Sequence, residues 1–141
     1  MKIQKTKIIK TKNIINKKGN IKKFLDKKSS YYKNFGEIYN TNIKYKKIKG
    51  WKYHKKMISN IFIISGKVKF VIAQKNKHKT IFLEFILDPK NYNHIYIPNK
   101  VFFAFIGMSK QESILINFAS IIHNDKESLN FNLDKFDYKW N

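Results

Sequence analysis

The sequence predicts an all-β protein, a sandwich or barrel, and three observations carry that reading. Apolar and polar residues alternate with a period of two in several segments. The clearest is Lys67–Ile72, where Val68, Phe70 and Ile72 share one face and Lys67 and Lys69 the other. Such segments recur at roughly 8–12-residue spacing, separated by Gly, Pro, Asn and Asp, as in sandwiches and barrels. Helical periodicity is nearly absent, and only Ile21–Tyr32 reads as a short helix.

Taken in order, Glu37–Tyr39 and Ile43–Ile48 are short strands. Asn60–Ile64 is apolar on both faces, as a strand between two layers is. Ser65–Gly66 is a tight turn into Lys67–Ile72, and the polar run Gln74–Lys79 is a loop. Thr80–Leu87 is a strand ended by Asp88–Pro89, and Tyr92–Ile97 stops at Pro98, which cannot donate to a ladder. Phe102–Ile106 and Ser113–Ala119 follow, with Gly107–Glu112 between them. The segment Asn130–Asn141 carries Phe131, Leu133, Phe136, Tyr138 and Trp140, too apolar for a free tail, so it packs back on the barrel. No linker or internal repeat is visible, and residues 1–141 read as one domain.

Of 141 residues, 30 are basic and 9 acidic, a formal charge of +21. That balance invites nucleic acid or an anionic surface. Every basic residue, however, is Lys, whereas nucleic-acid interfaces lean on the planar fork of Arg. Lys, Ile and Asn make up 69 of the 141 residues, the signature of an AT-rich coding bias rather than of a ligand. Nucleic acid is therefore the weakest of three functional readings, behind an enzyme and a silent binding module. No apolar run approaches the ~18 residues of a membrane helix, and no export signal is visible near the start. The expectation is a soluble, cytoplasmic protein without a membrane partner.

With no Cys and four His, none in a His-x-His or His-x-x-x-His pair, a metal site would have to assemble from distant strands. No glycine-rich phosphate loop or nucleophile elbow is present. The most informative segment is Lys49–Gly50–Trp51–Lys52–Tyr53–His54–Lys55–Lys56. In an extended conformation Lys52 and His54 share a face opposite Trp51 and Tyr53. Facing inward, a Lys beside a His is disfavoured as a cation and becomes a candidate base; facing outward, both are solvated. His94 and Tyr96 share a strand face that either lines a cavity or lies at an edge. His123 is a site residue or a loop histidine bonding local backbone.

Several stretches, in order along nearly the whole chain, resemble the dTDP-4-dehydrorhamnose 3,5-epimerase family and its short single-domain relatives. They are Lys17–Lys18–Gly19, Phe35–Gly36–Glu37–Ile38–Tyr39, Lys49–Gly50–Trp51 with His54–Lys55–Lys56–Met57, and Ser65–Gly66–Lys67–Val68. Asp88–Pro89–Lys90–Asn91–Tyr92, Ile97–Pro98, Ile122–His123–Asn124–Asp125–Lys126–Glu127 and Tyr138–Lys139–Trp140 complete the set. The resemblance implies a cupin, the double-stranded β-helix or jelly-roll barrel, usually a homodimer. It also implies a cofactor-free, metal-free site for a nucleotide-linked 4-keto-6-deoxy sugar, in surface-polysaccharide biosynthesis.

Carried over by position, Lys52 stands where the family places its base histidine, and His54 matches a second histidine of the short relatives. These two are the acid/base candidates. Lys18 and Lys49 match phosphate-binding basic positions, and His94, Tyr96 and His123 are further candidate substrate contacts. Phe103 stands near a family histidine, Lys100 replaces a turn glycine, and Ile121 or Ile122 stands near the catalytic tyrosine. Asp134 is the carboxylate that the resemblance offers to orient the base.

Overall fold

The computed structural model describes residues 5–91 and 93–141. Among the described residues, twelve strands run in order: β1 (Lys7–Lys10), β2 (Lys12–Ile14), β3 (Ile21–Lys23), β4 (Glu37–Ile43), β5 (Ile48–His54), β6 (Ser59–Ser65), β7 (Val68–Asn76), β8 (Lys79–Leu87), β9 (Asn93–Ile97), β10 (Phe102–Gly107), β11 (Ser113–Ala119) and β12 (Ser128–Asn130). They form two five-stranded antiparallel sheets, ordered β1-β9-β6-β11-β4 and β12-β5-β10-β7-β8, plus the small β2-β3 hairpin. This is the cupin jelly roll.

The alternation read from the sequence decides what lies between the sheets. Val68, Phe70 and Ile72 of β7 meet Ile61, Ile63, Ile95, Ile97 and Leu115 from the opposite sheet in one buried cluster. Part of the outer face of the second sheet is covered as well. Trp51, Val71, Ala73 and Ala104 form a second cluster, roofed by Phe131, Phe136, Tyr138 and Trp140 of the C-terminal segment. Trp51 is wholly buried there, with its indole N–H donating to the Leu133 carbonyl (3.2 Å). The apolar tail does pack back on the barrel.

Three expectations change. Ile21–Tyr32 is not helical: after β3 it turns, with Asp26 Oδ1 accepting from the backbone N–H groups of Lys28 and Ser29. Its apolar residues are spent on the outside of the first sheet, Phe24 against Phe62 (4.5 Å between centroids) and Tyr31 against Tyr96 (5.2 Å). Ile43–Ile48 is not one strand, because a turn at Lys44–Lys47 separates β4 from β5, with Lys46 at φ 58°. Gln74–Lys79 is mostly ladder, as Gln74, Lys75 and Asn76 pair with Ile81, Thr80 and Lys79. A solvated hairpin tip tolerates lysines that a buried strand would not. The expected strand Tyr92–Ile97 begins at a residue outside the described ones; its remainder is β9.

Candidate active site

The site is built around an irregularity in β5. Against β10, Lys52 pairs with Phe103 but Lys49 pairs with Phe105, so Gly50 and Trp51 together oppose one residue. This bulge breaks the period of two. It turns Lys49, Lys52 and His54 all toward the barrel interior while Trp51 remains on the outer face. Glycine is required: at φ +128°, a Cβ on Gly50 would lie 2.5 Å from Ala104 Cβ and 2.9 Å from the Phe103 carbonyl oxygen.

The three side chains line a cavity of about 140 Å³ between the sheets. Phe103 and Phe105 complete the wall on their side. Tyr39, Thr41, Ile61, Leu115 and Asn117 of the other sheet face them, and His123, Ser128 and Asn130 stand around them.

His54 is oriented by Glu127, whose Oε1 lies 2.7 Å from Nδ1. Glu127 is itself pinned, its Oε2 accepting from the backbone N–H groups of Lys56 (3.0 Å) and Met57 (3.2 Å). Burial works against ionising this carboxyl, but the Lys56 N–H, the His54 ring and the Met57 N–H outweigh it and hold its pKa below the ordinary range. A carboxylate only accepts, so Nδ1 carries the proton and Nε2 keeps the lone pair. Burial lowers the His54 pKa, with Lys52 and His123 adding to it and Glu127 opposing. The imidazole is therefore neutral near pH 7, the form a base needs.

Across the cavity, the Tyr39 hydroxyl accepts from Asn117 Nδ2 (2.8 Å), which also donates to Ser59 Oγ (3.2 Å). Burial, only partly offset by that hydrogen bond, raises the Tyr39 pKa and keeps the hydroxyl protonated. Lys52 shows the opposite sign: burial first, then Lys49, lowers its pKa. Its Nζ donates to Asn130 Oδ1 (3.3 Å).

The structure thus brings Lys49, Lys52, His54 and His123 to one cavity. His123 is also tied to its own loop, Nε2 lying 2.9 Å from Asp125 Oδ1. Three sequence candidates are elsewhere. Lys18 is exposed in the β2–β3 turn, its N–H on Asn16 Oδ1. His94 and Tyr96 lie on the outer face of β9, because Ile95 and Ile97 take the inner one. There, His94 Nε2 meets Asn60 Oδ1 (3.1 Å), and Phe24 and Tyr31 cover their surroundings.

Asp134 is exposed in a 3₁₀ turn, and the carboxylate on His54 is Glu127. Ile122 is 69% exposed, and Tyr39 is the tyrosine of the cavity. Phe103 lies against the His54 ring (6.0 Å). Lys100 takes the glycine-like φ of 61° and donates its N–H to the His54 carbonyl (2.7 Å).

Sequence reasoning missed Tyr39 and Glu127. Alternation along Glu37–Ile43 puts Tyr39, Thr41 and Ile43 on one face, which was a usable signal. Glu127 closes the His123–Glu127 motif, but only the β12–β5 pairing, with Ser128 opposite His54, shows what it touches.

Two facing antiparallel sheets around a cavity lined by lysines and histidines define a cupin. The WxcM-like, C-terminal (FdtA) family model matches residues 4–139, and the chain belongs to that family of cupins. No curated protein matches the chain. Among solved structures, a dTDP sugar isomerase from Desulfovibrio desulfuricans G20 aligns over 96% of this chain and 90% of its own, at 22% identity and a TM-score of 0.86. A dTDP-4-dehydrorhamnose 3,5-epimerase from Elizabethkingia anophelis NUHP1 aligns over 99% and 83%, at 13% identity and 0.81. A sugar 3,4-ketoisomerase from Thermoanaerobacterium thermosaccharolyticum, in complex with TDP, aligns over 92% and 89%, at 20% identity and 0.72.

Proposed function

We propose that this protein is a sugar-nucleotide epimerase or isomerase acting on a nucleoside-diphosphate-linked 4-keto-6-deoxy sugar. The supporting observation is the Glu127-oriented His54 on one cavity wall with the protonated Tyr39 hydroxyl on the other. A ketone acidifies its adjacent C–H. His54 Nε2 removes that proton, and the Tyr39 hydroxyl donates to the developing oxyanion or returns a proton from the opposite side. Return to the same carbon on the other face epimerises it; return to the former carbonyl carbon moves the ketone. Lys52 is the second proton-transfer group, and Lys49 supplies the positive charge that receives the phosphates. His123 is a further substrate contact. Surface-polysaccharide biosynthesis, a cytoplasmic location and a homodimer of a single-domain chain belong to the same reading.

The test is solvent exchange. In D₂O, a dTDP-linked 4-keto-6-deoxy sugar should take up deuterium beside the ketone, and His54→Gln should abolish this without losing the folded state. Bound dTDP without any exchange would point to a silent binding cupin. Steeply salt-sensitive binding of nucleic acid in place of dTDP would reject both.

A further inference from the structure

Lys52 is one of two described lysines that line the cavity. It lies in the cavity three residues from Lys49, brought to the same side by the β5 bulge. Among the described residues no carboxylate pairs with it; the ion pairs there are His54–Glu127, Lys69–Glu84 and His123–Asp125. Its polar partner is the neutral Asn130 Oδ1, at 3.3 Å. Phe103, opposite it in the ladder, adds an apolar wall. An amine held beside another cation, without a counter-ion, in a cavity shared with a neutral histidine is the arrangement that turns lysine from a cation into a nucleophile.

We propose that Lys52 is a carbonyl-capturing amine, which condenses with an aldehyde or ketone in the cavity to form a Schiff base. The Nζ lone pair attacks the carbonyl carbon, and the C=O π pair moves to oxygen. A proton passes from nitrogen to that oxygen, giving the carbinolamine. Loss of the hydroxyl as water, on a proton taken up from solvent, gives the iminium; hydrolysis returns amine and carbonyl compound and releases that proton. No oxidant or reductant enters. The bound iminium acidifies the adjacent C–H more than the ketone does, so the amine adds a covalent route to His54 proton transfer. Burial and Lys49 both favour the free amine at Lys52, which agrees with this chemistry.

The proposal shares the cavity of the proposed function but not its reaction, so separate measurements read the two. The protein is incubated at pH 7 with dihydroxyacetone, a neutral carbonyl compound, and sodium cyanoborohydride, which reduces the iminium to a stable secondary amine. Peptide mass mapping locates the adduct. Lys52 should be labelled first and the cavity adduct lost in Lys52→Met and Lys52→Arg, both checked for an unchanged thermal midpoint. Lys49→Met should slow labelling at pH 7 and move its pH midpoint upward, because the neighbouring cation is gone. Adducts spread over the surface lysines, or total labelling undiminished in both Lys52 variants, would overturn the proposal. So would no adduct at Lys52. Deuterium exchange through His54 could then still occur, while its absence alone would leave amine capture standing.

Discussion

Acid should unfold this protein in a window set largely by a histidine outside the cavity. His94 is 1% exposed, and burial lowers its pKa from 6.5 to about 4. The hydrogen bonding explains why. Asn60 Nδ2 donates to the Tyr31 carbonyl (3.1 Å), so Asn60 Oδ1 accepts from His94 Nε2 (3.1 Å), and Nδ1 has no partner. Protonation would place an uncompensated N–H⁺ at a buried position. The folded pKa lies below the unfolded one, so the unfolded chain binds the proton more readily. The stability present above pH 6.5 is lost as pH falls toward 4. Linkage between those values removes roughly 2 kcal/mol between pH 7 and pH 5, and roughly 3 kcal/mol by pH 4. The perturbation is His94→Gln, which keeps a donor for Asn60 and cannot be protonated in this range. Urea unfolding at pH 7, 6, 5 and 4, followed by tryptophan fluorescence, gives both stability curves. The variant should lose stability less steeply, with the gap between the curves changing by about 2 kcal/mol from pH 7 to pH 5. Parallel curves would refute the assignment and mean that His94 is hydrated or partnered when charged.

Further outcomes follow from the same geometry. In Glu127→Gln the amide oxygen must still face the Lys56 and Met57 N–H groups, which turns its NH₂ toward His54 Nδ1 and forces the ring proton onto Nε2. Exchange measured in D₂O should fall on the order of 10²–10⁴-fold while dTDP affinity holds. Gly50→Ala puts a methyl 2.5 Å from Ala104 Cβ at φ +128°, so chemical denaturation should show a loss of about 2–4 kcal/mol. Trp51→Ala empties the floor beneath the C-terminal segment and should cost about 3–5 kcal/mol, with limited proteolysis then cutting after Asn130.

The sequence made the barrel legible because one face of nearly every strand must be apolar, as in Val68, Phe70 and Ile72. Where two faces were apolar, the pattern could say only that something covers both. The chain spends Phe131–Trp140 on one sheet and Phe24–Tyr31 on the other. That covering role also explains the failed helix, since residues that cap a sheet need no helical stripe. In the site, Lys52 and His54 could be placed on one face by period two alone. Lys49 follows only from the family resemblance, because a bulge has no periodic signature. His94 and Tyr96 were correctly paired on a face, but a period of two does not say which face is inside. Ile95 and Ile97 settle it, since the larger apolar cluster claims them.

The bulge also resolves the meaning of the lysines. Thirty of them, in a chain without arginine, describe a coding bias more than a ligand. A regular β5 would put Lys49 outside with Trp51 and leave Lys52 as a single cation on the inner wall. Inserting one residue brings a second charge inside, and Lys49 then works against the Lys52 ammonium. An anion entering the cavity relieves that repulsion, so ligand phosphate and the protonation of Lys52 are coupled. Binding a phosphate should favour the ammonium, and a neutral carbonyl compound should meet the amine. The local backbone, rather than the overall charge of +21, therefore decides which chemistry the cavity presents.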